Sequence, residues 1–150
     1  MNIVADTNVL VRAYVGDDIE QRNTAAAVLA QSRRVVITNE TMLEFVWVLL
    51  RMYKMPRTKV LEAVRSFLHI DNVEIDRTAV EVGLSCLQQG GDFADGVIAY
   101  EGRRQGGETF VSFDRKSCPP ARSPRLRNAV ADVKRPDLSA GPRIPIDAGR

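Results

Sequence analysis

The stretch Asn2-Ile3-Val4-Ala5-Asp6-Thr7-Asn8-Val9-Leu10-Val11-Arg12-Ala13-Tyr14 decides how the chain is read. Asn2 to Ala5 make a short, largely apolar run that stops at an acid. From Val9 onward the apolar side chains fall at helical spacing. A strand therefore hands over to a helix, with Asp6 at the joint. Further along, Asp17 and Asp18 cap a second helix through about Gln31, whose buried side draws on Ala26, Val28, Leu29 and Ala30. Val35-Val36-Ile37-Thr38 is β-branched throughout and predicts a second buried strand, after which Asn39 or Thr41 caps a long helix through Tyr53. Pro56-Arg57-Thr58 restarts a helix with Val60, Leu61, Val64, Phe67 and Leu68 on one side. Val73-Glu74-Ile75 predicts a short strand. Two more helices follow, from about Arg77 to Gln88 and from Phe93 to Arg104, stopped by Gly90-Gly91 and Gly106-Gly107. Thr109-Phe110-Val111-Ser112 predicts the next strand. Strands alternating with helices specify an α/β fold with a mostly parallel sheet covered on both faces. In such sheets ligands collect beyond the carboxyl ends of the strands, which is where Asp6 and Asp114 fall.

Composition narrows the class. With 150 residues, 45% hydrophobic and 27% charged, the chain is an ordinary globular mixture. Its longest apolar runs, such as Phe45 to Leu50, are about a third of a bilayer crossing, and no basic segment leads into an apolar stretch at the amino terminus. A cytoplasmic protein with no membrane partner is expected. Cys86 and Cys118 lie in no paired spacing, which excludes a disulfide framework or a zinc cluster, and a lone His69 excludes histidine-rich metal sites. The net charge of +2 conceals an asymmetry: up to Arg115 there are 13 Lys and Arg against 16 Asp and Glu, and beyond it 8 against 3. Six of the seven prolines also lie beyond Arg115, and aromatic residues are absent there. The expected division is a compact domain over 1–115 and a basic, extended or disordered tail over 116–150.

Four carboxylates stand out. Glu44 lies in Met42-Leu43-Glu44-Phe45-Val46-Trp47-Val48-Leu49-Leu50, a helix apolar nearly all round, where a buried charge needs a metal ion or a cation to compensate it. A salt bridge to Arg12 or Arg51 is the plainer explanation. Asp6 reads as a helix cap, a site residue or both. Asp114, after Ser112-Phe113, reads as a site residue or a solvated turn. In Asp92-Phe93-Ala94-Asp95, Asp92 reads foremost as the cap, while Asp95 points from inside the first turn toward one face. Carboxylates without histidines are hard oxygen donors suited to Mg²⁺ or Mn²⁺, and such clusters serve phosphoryl transfer. No glycine-rich nucleotide loop is present.

Asp6-Thr7-Asn8 after the first strand, Glu44 in its apolar helix, Asp92-Phe93-Ala94-Asp95-Gly96-Val97-Ile98-Ala99 and Ser112-Phe113-Asp114 together resemble the PIN-domain ribonucleases. Within them the pattern looks specifically like the VapC toxins of bacterial toxin–antitoxin pairs, over about residues 1–116. The resemblance implies a three-layer α/β/α fold and Mg²⁺-dependent endonucleolytic cleavage of RNA by a metal-activated water. By that resemblance Asp6, Glu44, Asp95 and Asp114 hold the metal, and Thr7, Asn8, Asp92 and Ser112 support them. It also implies a homodimer and inhibition by a VapB-type antitoxin, with operator DNA contacted through the antitoxin alone. In one departure, Ser117-Cys118-Pro119-Pro120 does not read as the helix and closing edge strand that the family usually adds.

RNA must be attracted to a negative body, and Arg12, Arg33, Arg34, Arg103, Arg104 and Arg115 are the candidate phosphate contacts, each equally readable as solvated surface. Two other functions are compatible with the same acids: a structural partner of an antitoxin in a DNA-binding autorepressor complex, and a flap-like DNA nuclease. His69 reads as a helix-end or packing residue. Trp47 and Tyr53 read as core or dimer packing in preference to base stacking.

Overall fold

A computed structural model of the chain describes residues 1–112. The expectations for Asp114, Arg115, Cys118 and the 116–150 tail lie outside the described residues. The elements run β1 (Asn2–Val4), α1 (Thr7–Val15), α2 (Ile19–Gln31), β2 (Arg34–Val36), α3 (Asn39–Arg51), α4 (Arg57–Leu68), β3 (Val73–Glu74), α5 (Arg77–Gln88) and α6 (Phe93–Arg104). Among the described residues the strands form one parallel sheet in the order β1-β2-β3, and the architecture is three-layer α/β/α. No described helix is long and apolar enough to cross a membrane.

The register aligns Val4 with Val36 and Val36 with Glu74. Backbone bonds extend the ladder one residue further, from Ala5 N–H to the Val36 carbonyl (2.9 Å) and from Ile37 N–H to the Glu74 carbonyl (3.0 Å). Asp6 and Thr38 therefore emerge side by side at the carboxyl end of the sheet. Each begins a helix. Asp6 caps α1 by accepting from Asn8 N–H, and Thr38 caps α3 by accepting from Thr41 N–H. Asp18 caps α2, Asp76 caps α5 and Asp92 caps α6 in the same way. Gly16 ends α1 in the left-handed conformation that a side chain disfavours.

The core fills the space between the helices and the sheet. Phe45 of α3 is fully buried and meets Tyr14 edge-on at 6.3 Å and Phe67 at 5.4 Å, joining α1, α3 and α4. Val35, Ile37, Leu10, Met42, Leu49, Val60, Val64, Val80 and Leu84 complete it. Between α5 and α6 the backbones nearly touch. A Cβ at Gly83 would stand 2.7 Å from Cε2 of the buried Phe93 ring, and one at Gly96 would stand 3.0 Å from Gly83 Cα and from the Val82 carbonyl oxygen.

Three expectations are corrected. Thr38 is not a strand residue: its hydroxyl takes over as the cap of α3, so neither Asn39 nor Thr41 holds that place. The buried side of α2 is Ala25 and Leu29, whereas Val28 is exposed, because a 3.6-residue period brings 25 and 29 onto one line and leaves 28 beside it. Thr109–Ser112 forms no strand. Its Val111 is 63% exposed, and among the described residues β1 pairs with β2 alone, leaving Val4 69% exposed. Strand propensity becomes a strand only through a ladder, and among the described residues this segment has none.

Substitution of Gly83 by Ala drives a methyl group into a ring that has no room to retreat. The expected cost is about 1–3 kcal/mol of stability, read as a lower midpoint in urea unfolding, with Gly102→Ala, in open space on α6, as the control whose midpoint holds or rises because alanine is the better helix former.

Candidate active site

The sheet's carboxyl end assembles the first part of the site. Thr7, the first residue of α1, is 5% exposed and donates its hydroxyl to Glu44 Oε2 at 2.6 Å. A buried hydroxyl from one helix, on the residue next in sequence to Asp6, thereby holds a carboxylate on another. Asp6 is itself tethered: Oδ2 accepts from the backbone N–H of Asn8 (3.4 Å) and from its side-chain amide (3.3 Å). One oxygen of each carboxylate is thus used for orientation. Among the described residues, Asp6 Oδ1 and Glu44 Oε1 accept no hydrogen bond, and both residues are exposed.

Exposure of Glu44 overturns the expectation of a buried charge needing compensation. Met42, Phe45, Val46 and Leu49 form the buried side of α3. Glu44 projects on the opposite side with Trp47, itself 55% exposed and so not core. The apolar run misled because Leu43, Val48 and Leu50 are only half-buried: hydrophobic side chains on a small domain cover more of the helix than the core needs. Nor does Arg12 pair with Glu44. Its guanidinium binds Asp17 at 2.9 Å, and Tyr53 donates to the other oxygen of Asp17 at 3.2 Å. Burial acts to raise the Asp17 carboxyl, but the hydrogen bonds from Arg12 and Tyr53 outweigh it and hold the group below the usual range.

Helix α6 supplies the next acids. Asp92 Oδ1 accepts from Ala94 N–H at 2.8 Å, the capping role expected of it, and Asp95 follows half-buried within the first turn, at the positive end of the helix. The helix is docked on α3 near its far end, where the Asn39 amide donates to Glu101. Asn39 Oδ1 is buried without a partner among the described residues. Sequence reading passed over this pair: a glutamate within a helix and an asparagine after a strand carry no signal until the fold joins them across 62 positions. Ser112 is half-buried.

Other candidates are dispersed. Arg104 pairs with Asp76 at 3.0 Å and lies 5.8 Å over the Tyr100 ring, Arg34 pairs with Glu74 at 3.5 Å, and Arg33 and Arg103 are exposed. His69 ends α4 and its Nδ1 donates to the Arg65 carbonyl at 2.7 Å, the helix-end role expected.

Among the described residues no three carboxylate, imidazole or thiol groups gather closely enough to hold a metal ion. What the structure joins is Thr7, which follows Asp6, with Glu44, while Asp95 lies on the helix docked against α3. The donor chemistry nevertheless suits a hard divalent cation. All the donors are carboxylate oxygens, and Asp6 and Glu44 are exposed residues with one oxygen oriented by a neighbour, as ligand carboxylates are usually held.

The sequence profile described as the PIN domain matches residues 3–118 of the chain. No curated protein matches it.

Capping and chemistry at Asp6 are separable. Asp6→Ala removes the cap of α1 and is expected to cost about 0.5–2 kcal/mol, whereas Asp6→Asn keeps a side-chain acceptor and should stay within a few tenths of wild type. Thr7→Val, which preserves shape but deletes the donor to Glu44, should lose about 1 kcal/mol. Urea midpoints of the three variants check this ranking.

Proposed function

Because the chain belongs to the PIN-domain family, whose members are generally metal-dependent nucleases, we propose that it is a Mg²⁺-dependent endoribonuclease and the toxin of a VapBC-type toxin–antitoxin pair. The observation that supports the reading is the Thr7 bridge to Glu44, which ties an exposed carboxylate of α3 to the residue that follows Asp6 where the strands end. Asp6, Glu44, Asp95 and Asp114 would hold the cation. Thr7 and Asn8 orient the first two, Asp92 anchors the turn that carries Asp95, and Ser112 would support them. Mg²⁺, or Mn²⁺ in its place, supplies Lewis acidity toward the attacking water and offsets charge on the leaving oxygen.

The chain's own residues then have three tasks. The carboxylates orient the nucleophile in line with the scissile phosphodiester, their negative charge excludes the substrate until the cation is present, and arginines at the rim retain the phosphates on either side. Arg103 is the best placed of these, being exposed, while Arg12 and Arg104 are already paired with Asp17 and Asp76. Cleavage would leave a 5′-phosphate and a 3′-hydroxyl. A cytoplasmic homodimer restrained by a cognate antitoxin, with operator DNA reached only through that antitoxin, completes the proposal.

The test is incubation of a mixed single-stranded RNA pool with purified protein in Mg²⁺, in EDTA and as Asp6→Asn, with mapping of new 5′ ends. Discrete cuts are expected in Mg²⁺ alone. Asp6→Asn should lower the rate at least about 100-fold, on the scale of losing a group that acts in the transition state. Cuts that persist in EDTA, or a preference for branched DNA over RNA, overturn the reading.

A further inference from the structure

Arg57 is the first residue of α4, and its backbone position says nothing of catalysis. Its side chain reaches across to the turn between α5 and α6. There Nη1 donates to the Gly91 carbonyl at 2.6 Å and to the Leu87 carbonyl at 3.3 Å. Both acceptors matter. Leu87 lies in the last turn of α5, where the helix dipole favours a cation, and its carbonyl also accepts from Gly90 N–H (3.2 Å). Gly91, buried, immediately precedes Asp92, the cap of α6. One guanidinium therefore ties the end of α5 to the start of α6. The Phe93 ring, seated on Gly83, restrains the same turn from the other side. The Asn39 amide bonded to Glu101 restrains the far end of α6. The helix that carries Asp95 is thus held at its start and at its far end.

We infer that Arg57 is a positioning residue for the acidic site, its guanidinium locking the α5–α6 turn and so setting where Asp92 and Asp95 stand. The inference rests on the proposed role of Asp95 in holding the cation. Arg57 also lines, with Trp47 and Asp92, a groove of about 310 Å³, so direct contact with an RNA phosphate is the competing role that the experiment must separate.

Three measurements on Arg57→Ala and Arg57→Lys do so: amide hydrogen exchange, Mn²⁺ binding by calorimetry without RNA, and cleavage kinetics. In Arg57→Ala exchange should quicken at residues 91–96 and stay unchanged in the sheet. Mn²⁺ affinity should fall about 10–100-fold, the range for outer-shell partners of metal ligands, and kcat should fall while KM for RNA moves less than about twofold. Arg57→Lys keeps the charge but not the fork, so it should show the same pattern in lesser degree; it carries the test if Arg57→Ala does not fold. Unchanged Mn²⁺ affinity in a folded variant overturns the inference. So does a raised KM with a shallower salt dependence and intact Mn²⁺ binding, which marks a phosphate contact. A wild-type protein that binds no Mn²⁺ sinks the metal reading itself, a failure distinct from one seen only in the variants.

Discussion

Parallel pairing of β1 with β2, and of β2 with β3, obliges the chain to travel back along the sheet before each new strand. Everything that leaves a strand therefore leaves at the same edge. Asp6 and Thr38 are neighbours for that reason and no other. The helices they cap start from adjacent points, which is what lets a hydroxyl at the first residue of α1 reach a carboxylate one turn and a half into α3. Without the parallel register the two acids would have no reason to share a surface.

Much of this organisation was legible from residue order. The helices Arg77–Gln88 and Phe93–Arg104 follow from their terminal glycines, and the second also from its Asp92 cap, since both signals act within a few residues. The aspartate caps at 6, 18 and 92 were legible on the same ground. Thr38 was not. A threonine after three β-branched residues satisfies a strand and a cap equally, and only the end of the ladder decides between them. Thr109–Ser112 failed in the opposite direction, for strand propensity is a statement about neighbours that the segment itself does not contain. The contacts that fix α6, from Arg57 and Asn39, were invisible because each spans tens of residues and joins side chains that look like ordinary surface.

Glu44 shows how a reason drawn from apolar company along the chain can fail in the fold. Apolar company on all sides suggested a charge stranded in low dielectric, which would have demanded a counterion for folding. The carboxylate faces water instead, and its rigidity comes from a single donated hydrogen bond. The difference is electrostatic in kind. A buried acid would store energy to be released on cation binding, whereas an exposed, oriented acid costs little to keep empty and lets the protein fold before any cation arrives.

The near-contact of Gly83 with Gly96, and of Gly83 with the Phe93 ring, also restricts how this sequence can drift. A methyl at position 83 is tolerable only after the ring at 93 has shrunk, but a smaller residue at 93 alone leaves a void beneath the turn that launches Asp95. Substitutions at the two positions are therefore ordered in time as well as coupled in energy. The route by which this helix pair diverges between related chains is a path through poorly packed intermediates, closed unless stability elsewhere is in surplus.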